Sequence, residues 1–284
     1  MRVLVTGGNA GIGYFVAEQL ASAGAEVVIG SRDPAKAEAA VAAIRSRVAG
    51  ARAGHVRMDL AALEPVDTGE LDAVVCNAGV ALDDPPRRET PDGHELMFGT
   101  NHLGHFALVA RLMPVLTAEA RIVTTGSFAA KSASLDFADL QSETDYHPKR
   151  AYERSKLAQM LFALELDRRL RAAGSKRLSV LAHPGGALDS LTPSRPPVHT
   201  RTTGQWLSGV PARVLLHGKD AGARPAVRAV LGPDVEGGQL WGPRVFGLRG
   251  RPRLEPLWAN LTDEAAAARL WTESVKLTGL DPLP

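Results

Sequence analysis

The chain alternates short apolar runs with longer stretches that repeat a hydrophobic side every three or four residues. Residues 2–5 form an apolar run that predicts a buried strand. Residues 12–23 follow with Ile12, Phe15, Val16, Gln19 and Leu20 along one side of a predicted helix, which Gly24 ends. Residues 26–29 and 55–58 repeat the strand pattern on either side of an alanine-rich helix at 34–48, with Pro34 in its first turn. Further strands are predicted at 72–76, 121–125 and 178–182, separated by helical stretches at 96–116 and 149–172. Strands that alternate with helices in this way argue for a parallel sheet covered on both faces. The expectation is an α/β, doubly wound, single-domain fold over residues 1–284, with a mainly parallel sheet of about seven strands.

Past Pro184 the period is lost. Residues 186–210, with Pro193, Arg195, Pro196 and Pro197, predict a loop or lid. Helical material is expected at 211–231, a last strand at 239–241, and a closing helix at 262–276 with Thr262 as N-cap and Glu264, Glu273 and Lys276 on its wet side. The arginine-rich stretch 244–253, interleaved with glycine and proline, reads as a solvated loop in preference to an anion patch.

Composition narrows the function. Thirty-three Lys plus Arg against 31 Asp plus Glu leave a formal charge of +2, which gives no reason to expect nucleic acid as a partner. One cysteine, Cys76, cannot form an internal disulfide, so a reducing compartment, the cytoplasm, is expected. No run of 18 apolar residues predicts a membrane span, and the N-terminal apolar run is too short for a signal peptide.

Directly after the first predicted strand comes TGGNAGIG, residues 6–13, with glycines at 7, 8, 11 and 13. At a strand-to-helix turn, unpaired N-H groups and a partial positive charge favour phosphate. Gly7, Gly11 and Gly13 allow a tight turn, a close ligand and a helix lying close on the strand, as a dinucleotide-binding Rossmann turn requires. An ordinary tight turn is the other reading, because the spacing is Gly-x-x-x-Gly-x-Gly. After the second strand stand Ser31 and Arg32, at the distance where such folds meet the adenosine ribose. An arginine there pairs with a 2'-phosphate and favours NADP(H), with NAD(H) as the alternative; Arg32 as a surface charge beside a capping Asp33 is the plainer reading. Downstream, AYERSK sets Tyr152 and Lys156 four residues apart, on one face of a helix. A phenol is a poor acid-base group at neutrality, and a neighbouring ammonium favours its phenolate, so the pair suits proton exchange with a carbonyl or alcohol. The same spacing is also common on exposed helices.

Together these pieces resemble the short-chain dehydrogenase/reductases of the classical type. TGGNAGIG is similar to that family's cofactor turn, CNAG at 76–79 to its NNAG element, Asn101 in TNHLGHF to its helix asparagine, and Tyr152 with Lys156 to its YxxxK. TNHLGHF, LDFADLQSE and the spacing to Tyr152 most resemble the retinol-dehydrogenase-like branch. The resemblance implies hydride transfer between nicotinamide and a carbonyl or alcohol carbon, with Tyr152 as proton donor or acceptor. It further implies that Lys156 holds the nicotinamide ribose, that Ser127 binds the substrate oxygen, and that Asn101 holds a water connecting Lys156 to solvent. Taken alone, Ser127 reads equally as a turn serine. For the cofactor, the resemblance implies contacts from Asn9, Ala10 and Ile12 in the glycine turn, from Asp59 and Leu60 at the adenine, from Asn77, Ala78 and Gly79 along the adenosine, and from His183, Pro184 and Gly185 near the nicotinamide. His102 and His105 serve either as bases or as packing groups, and with no third ligand in view no metal is expected.

Two departures stand out. Where the family usually carries a threonine four residues after Gly185, this chain has Asp189 followed by Ser190. A carboxylate facing phosphates is repelled, so Ser190 substitutes, the loop is displaced, or the cofactor is used differently. Gly126 precedes Ser127 where relatives commonly have serine, an expected source of room for a bulky substrate. The resulting expectation is an NADP(H)-dependent oxidoreductase acting on a ketone, aldehyde or secondary alcohol of a hydrophobic small molecule, with Phe128, Leu135, Leu188, Leu191 and Trp206 as apolar candidates in the substrate loops. The alternative is a nucleotide-binding regulatory or scaffold protein that kept the fold and lost the reaction. The two long helices suggest pairing into a homodimer or homotetramer, although amphipathic packing on a sheet explains them equally well.

Overall fold

The computed structural model describes residues 1–62, 65–84 and 86–283. Its first half follows the predicted alternation: β1 (Arg2–Thr6), α1 (Gly11–Ser22), β2 (Glu26–Ser31), α2 (Pro34–Arg47), β3 (Ala53–Arg57) and β4 (Leu71–Cys76). A π-helical turn (Phe98–Leu103) leads into α3 (Gly104–Leu112), followed by β5 (Leu116–Thr125), α4 (Pro148–Ala172) and β6 (Leu178–Ala182). The second half contains β7 (Ala187–Leu188), α5 (Thr203–Gly209), β8 (His217–Gly218), α6 (Lys219–Gly222) and α7 (Arg224–Leu231). It closes with β9 (Leu240–Val245), β10 (Arg249–Glu255) and α8 (Glu264–Thr278).

The main sheet has eight strands in the order β10-β9-β6-β5-β4-β1-β2-β3, one more than expected. All neighbours run parallel except β10, which pairs antiparallel with β9. Period-two alternation supplies both faces. Val3, Val5, Val27 and Ile29 pack under α1, α2 and α7, whereas Leu4, Val28 and Val74 pack with Phe106, Phe162, Leu166 and Trp271 of α3, α4 and α8. The reversal of strand order lies between β1 and β4, and the loops beyond the carboxyl ends of these strands form the crevice where such sheets bind ligands.

Several expectations change. The stretch 244–253 is an edge hairpin, not a loop: its arginines decorate a strand with little buried surface, and a charged edge discourages further pairing. The helix expected at 96–116 is a composite of the π-helical turn, α3 and a short 3-10 turn, and Leu116 already begins β5. The expected helix at 211–231 is divided by β8, and the segment 186–210 carries β7, a 3-10 turn (Asp189–Leu191) and α5. The last helix is capped by Asp263, whose carboxylate accepts from the Ala266 N-H at 2.9 Å, while the Thr262 hydroxyl donates back to Ala259 O. Among the described residues, no helix is long and apolar enough to cross a membrane, and no group of His, Cys, Asp and Glu is placed to hold a metal.

Candidate active site

The glycine turn opens onto a cleft of about 760 Å³ along the carboxyl ends of β1, β2, β4, β5 and β6. Gly7 and Gly11 have φ of +65° and +57°, which L side chains rarely adopt. A Cβ on Gly11 would meet nothing within 4 Å, so that residue faces open space; one on Gly7 would lie 3.0 Å from Ala78 Cα. Gly13 lies behind the cleft, where a Cβ would come within 2.4 Å of both Gly7 O and Asn77 Nδ2, so its role is the close seat of α1 on the strand ends. Ala10, the residue before α1, offers no side-chain cap, which leaves the first N-H groups of a twelve-residue helix without a side-chain acceptor. An open glycine, uncapped helix N-H groups and a polar cleft fit a diphosphate.

Asn9, Ala10 and Ile12 line this end with Gly7 and Gly11. At the tip of β2, Ser31 and Arg32 also line the cleft, as do Asp59, Leu60, Asn77, Ala78 and Gly79. Asp33 caps α2 by accepting from the Lys36 N-H at 3.1 Å, and Ser31 Oγ bonds the Asp33 backbone, so Arg32 and Lys36 are the exposed cations at this end. Sequence reasoning missed Lys36, Met58, Val80, Thr100 and Lys219 on the cleft wall. Their types carry no local signal, because they reach the cleft through tertiary placement.

At the other end Ser127, Tyr152, Lys156 and Pro184 share the same wall. Ser127 Oγ accepts from the Ala129 N-H at 3.2 Å, which leaves its own proton free to donate. Tyr152 and Lys156 face the cleft together from α4, as their spacing predicts. The Lys156 ammonium, buried, donates to Thr125 O at 2.8 Å and Gln159 Oε1 at 2.6 Å, and burial lowers its pKa from 10.5 to about 8. Asn101 and Gly185 do not line the cleft. The Asn101 side chain accepts from Val80 N at 2.8 Å and donates to Val80 O and Ser155 Oγ, bracing the NAG segment against α4. Gly185, at φ +67°, is pressed against Leu248 O and Pro243 of the β9–β10 hairpin, where a Cβ has no space.

The histidines are structural. The Thr6 hydroxyl accepts from Asn77 N and Ala78 N, both at 2.9 Å, and lies 2.9 Å from His105 Nε2 and 3.2 Å from Val75 O. His105 Nδ1 in turn lies 2.9 Å from Asn101 O and 3.1 Å from Gln159 Nε2, so both ring nitrogens are engaged within the fold. His102 packs among Phe98, Phe106 and Phe162, and its Nε2-H donates to Ser274 Oγ, whose proton is committed to Leu270 O. Burial holds their pKa values at about 3 for His102 and about 4 for His105, so both are neutral at pH 7.

The two departures resolve differently. Gly126 lines the cleft, but the place of a Cβ there is taken by Met160, whose sulfur would lie 2.5 Å away, so the missing side chain leaves no empty space. Asp189 lies 2.5 Å from Lys219 Nζ, and Ser190 Oγ packs against Gly209 away from the cleft. None of the five apolar loop candidates lines the cleft; Leu191 and Trp206 line a neighbouring cavity of about 430 Å³.

A parallel sheet with this strand order and a glycine-lined cleft over its carboxyl edge defines a Rossmann-type nucleotide-binding fold. A profile of the family "short chain dehydrogenase" matches residues 1–139. The chain is 36% identical to polyprenol dehydrogenase of Mus musculus, over 97% of this chain and 83% of that one, and 34% identical to human retinol dehydrogenase 13, over 98% and 85%. A crystal structure of a protein described as putative and uncharacterized from Mycobacterium paratuberculosis superposes with a TM-score of 0.79 at 34% identity, covering 100% of this chain and 94% of that one. Pseudomonas aeruginosa RhlG, solved as an NADP active-site complex, matches at 26% identity with a TM-score of 0.52, over 66% and 73%. The chain belongs to the short-chain dehydrogenase/reductase family, in its retinol-dehydrogenase-like branch, and is an oxidoreductase of that family.

Proposed function

We propose that this chain is an NADP(H)-dependent oxidoreductase that transfers hydride between nicotinamide and the carbonyl or alcohol carbon of a hydrophobic small molecule, with Tyr152 exchanging the proton. The observation that carries this reading is that one cleft is lined at one end by Gly11 and Arg32, and at the other by Ser127, Tyr152 and Lys156. NADP(H), when bound, supplies or accepts the hydride. The glycine turn and the N-terminus of α1 hold its diphosphate, and Arg32 pairs with the 2'-phosphate. Ser127 donates its free proton to the substrate oxygen and holds it beside Tyr152. Tyr152 gives its phenolic proton to that oxygen in reduction, or takes the alcohol proton in oxidation. Lys156 has three N-H donors, two of them committed to Thr125 O and Gln159 Oε1; the third serves a ribose hydroxyl, and the ammonium offsets the negative charge left on the phenol oxygen. The names of the relatives support a hydrophobic substrate, as do Val80 and Ala81 on the cleft wall. The regulatory reading drew its support from Asp189, whose carboxylate is paired with Lys219.

The test is NADPH oxidation with a panel of hydrophobic ketones and aldehydes. Tyr152→Phe is expected to lower kcat/KM by about 10²–10⁴-fold while NADPH binding is retained. Binding without Tyr152-dependent turnover of any compound would favour the regulatory reading.

A further inference from the structure

We propose that Lys219 is a cofactor-binding residue, whose ammonium leaves Asp189 to pair with the cofactor diphosphate. The inference rests on the reading of the cleft as a nicotinamide dinucleotide site. Its origin is the register of the two-stranded parallel sheet β7–β8, which aligns Ala187 with His217 and Leu188 with Gly218 and so brings the next residues, Asp189 and Lys219, side by side. Lys219 Nζ lies 2.5 Å from Asp189 Oδ1. The partners differ in setting: Lys219 lines the cleft, whereas Asp189 does not, and its side chain is 65% exposed against 25% for the lysine.

The backbone around Lys219 is fixed. Its N-H donates to Thr192 Oγ1 at 2.9 Å, and that hydroxyl donates to Leu188 O at 2.7 Å. The next residue accepts at its carbonyl from Gln19 Nε2 of α1 at 2.7 Å, which ties α6 to the helix that rises from the glycine turn. Exchange of partners therefore needs only rotation of the lysine side chain, with α1 and α6 staying in place.

Electrostatics gives the direction. The other cations on the cleft wall are Arg32 and Lys36, after β2, and Lys156, whose ammonium is bonded beside Tyr152. Arg32 and Lys36 belong to the adenosine end and Lys156 to the nicotinamide end, so without Lys219 the diphosphate between them would meet backbone N-H groups and the partial charge of α1. A pair with a largely exposed carboxylate is weakly held. A diphosphate carries more charge and is sheltered in the cleft, so the ammonium gains by the exchange, and Asp189 is left with water and the His199 ring, whose Nδ1 lies 3.8 Å away, at little cost.

Titration of NADPH and NADH into the full chain, followed by nucleotide fluorescence, tests this on Lys219→Met, Asp189→Asn and Arg32→Ala. Lys219→Met is expected to raise Kd by about tenfold for both cofactors alike, because both carry the diphosphate. Asp189→Asn is expected to tighten both by about threefold, since it removes a competing acceptor. Arg32→Ala is the control for the 2'-phosphate and weakens NADPH alone. Unchanged Kd in Lys219→Met, given an unaltered thermal melt, overturns the proposal. So does weakening by Asp189→Asn, which would make the ion pair a staple of the loop. If the wild-type chain binds neither cofactor, the cofactor reading falls and takes this one with it; if Arg32→Ala leaves NADPH binding intact while Lys219→Met weakens it, only the 2'-phosphate assignment fails.

Discussion

Lys156 stands where an ammonium is costly. Burial lowers its pKa from 10.5 to about 8, a difference that corresponds to roughly 3 kcal/mol. Between these values the unfolded chain holds a proton that the native state has lost, so this group makes stability rise with pH from about 8 to 10.5; below pH 8 both states are protonated and the native state bears the full burial cost. Cys76, pushed from 9 to about 12 by burial, acts in the opposite sense above pH 9, so variant and wild type must be compared at each pH. Lys156→Met is expected to be more stable than wild type at pH 7 by about 1–3 kcal/mol, with the advantage gone by pH 10.5, and to be inactive. Urea denaturation at the two pH values checks this, and a Met variant less stable at pH 7 would mean that the bonds to Thr125 and Gln159 outweigh burial. At this scale Tyr152 and Lys156 were legible because their spacing has a geometric consequence on a helix. Gln159 and Lys219 were not, since their partners depend on where distant strands lie.

The turn between β1 and α1 uses two glycines for different reasons. Gly11 needs its backbone conformation and has free space around it, so Gly11→Ala is expected to cost about 1–2 kcal/mol. Gly13 lies within the helix, where alanine would be favoured by about 1 kcal/mol on propensity. Its Cβ would nevertheless lie 2.4 Å from the backbone at Gly7, and overpacking against atoms that cannot swing aside costs about 1–3 kcal/mol or more. Gly13→Ala is therefore expected to destabilise despite the propensity, and thermal melts showing a gain would contradict the packing argument. Strands buried on both faces were readable as apolar runs, and the long helices by their period. The strand β10 was not, because its exposed edge offers no apolar alternation, and β7 and β8 are too short at two residues each for any pattern.

Over the whole molecule, the site is a product of topology. The glycine turn, Ser31 and Arg32, the NAG segment, Ser127 and Pro184 each follow a strand of one parallel sheet, so residues far apart in sequence meet along its carboxyl edge. That convergence was foreseeable from the alternation of strands and helices, together with the resemblance to one family. The internal arrangement of residues 186–220 was not, because it depends on the β7–β8 register and on the bond from Gln19 to Asp220. The most direct measurement follows the hydride itself. Incubation with NADPH deuterated at both hydrogens of the nicotinamide C4, and with a hydrophobic ketone turned over by the chain, should give an alcohol carrying deuterium on the former carbonyl carbon, detected as a mass increase that Tyr152→Phe abolishes. Alcohol formed without label, or labelled equally well by Tyr152→Phe, would contradict the account.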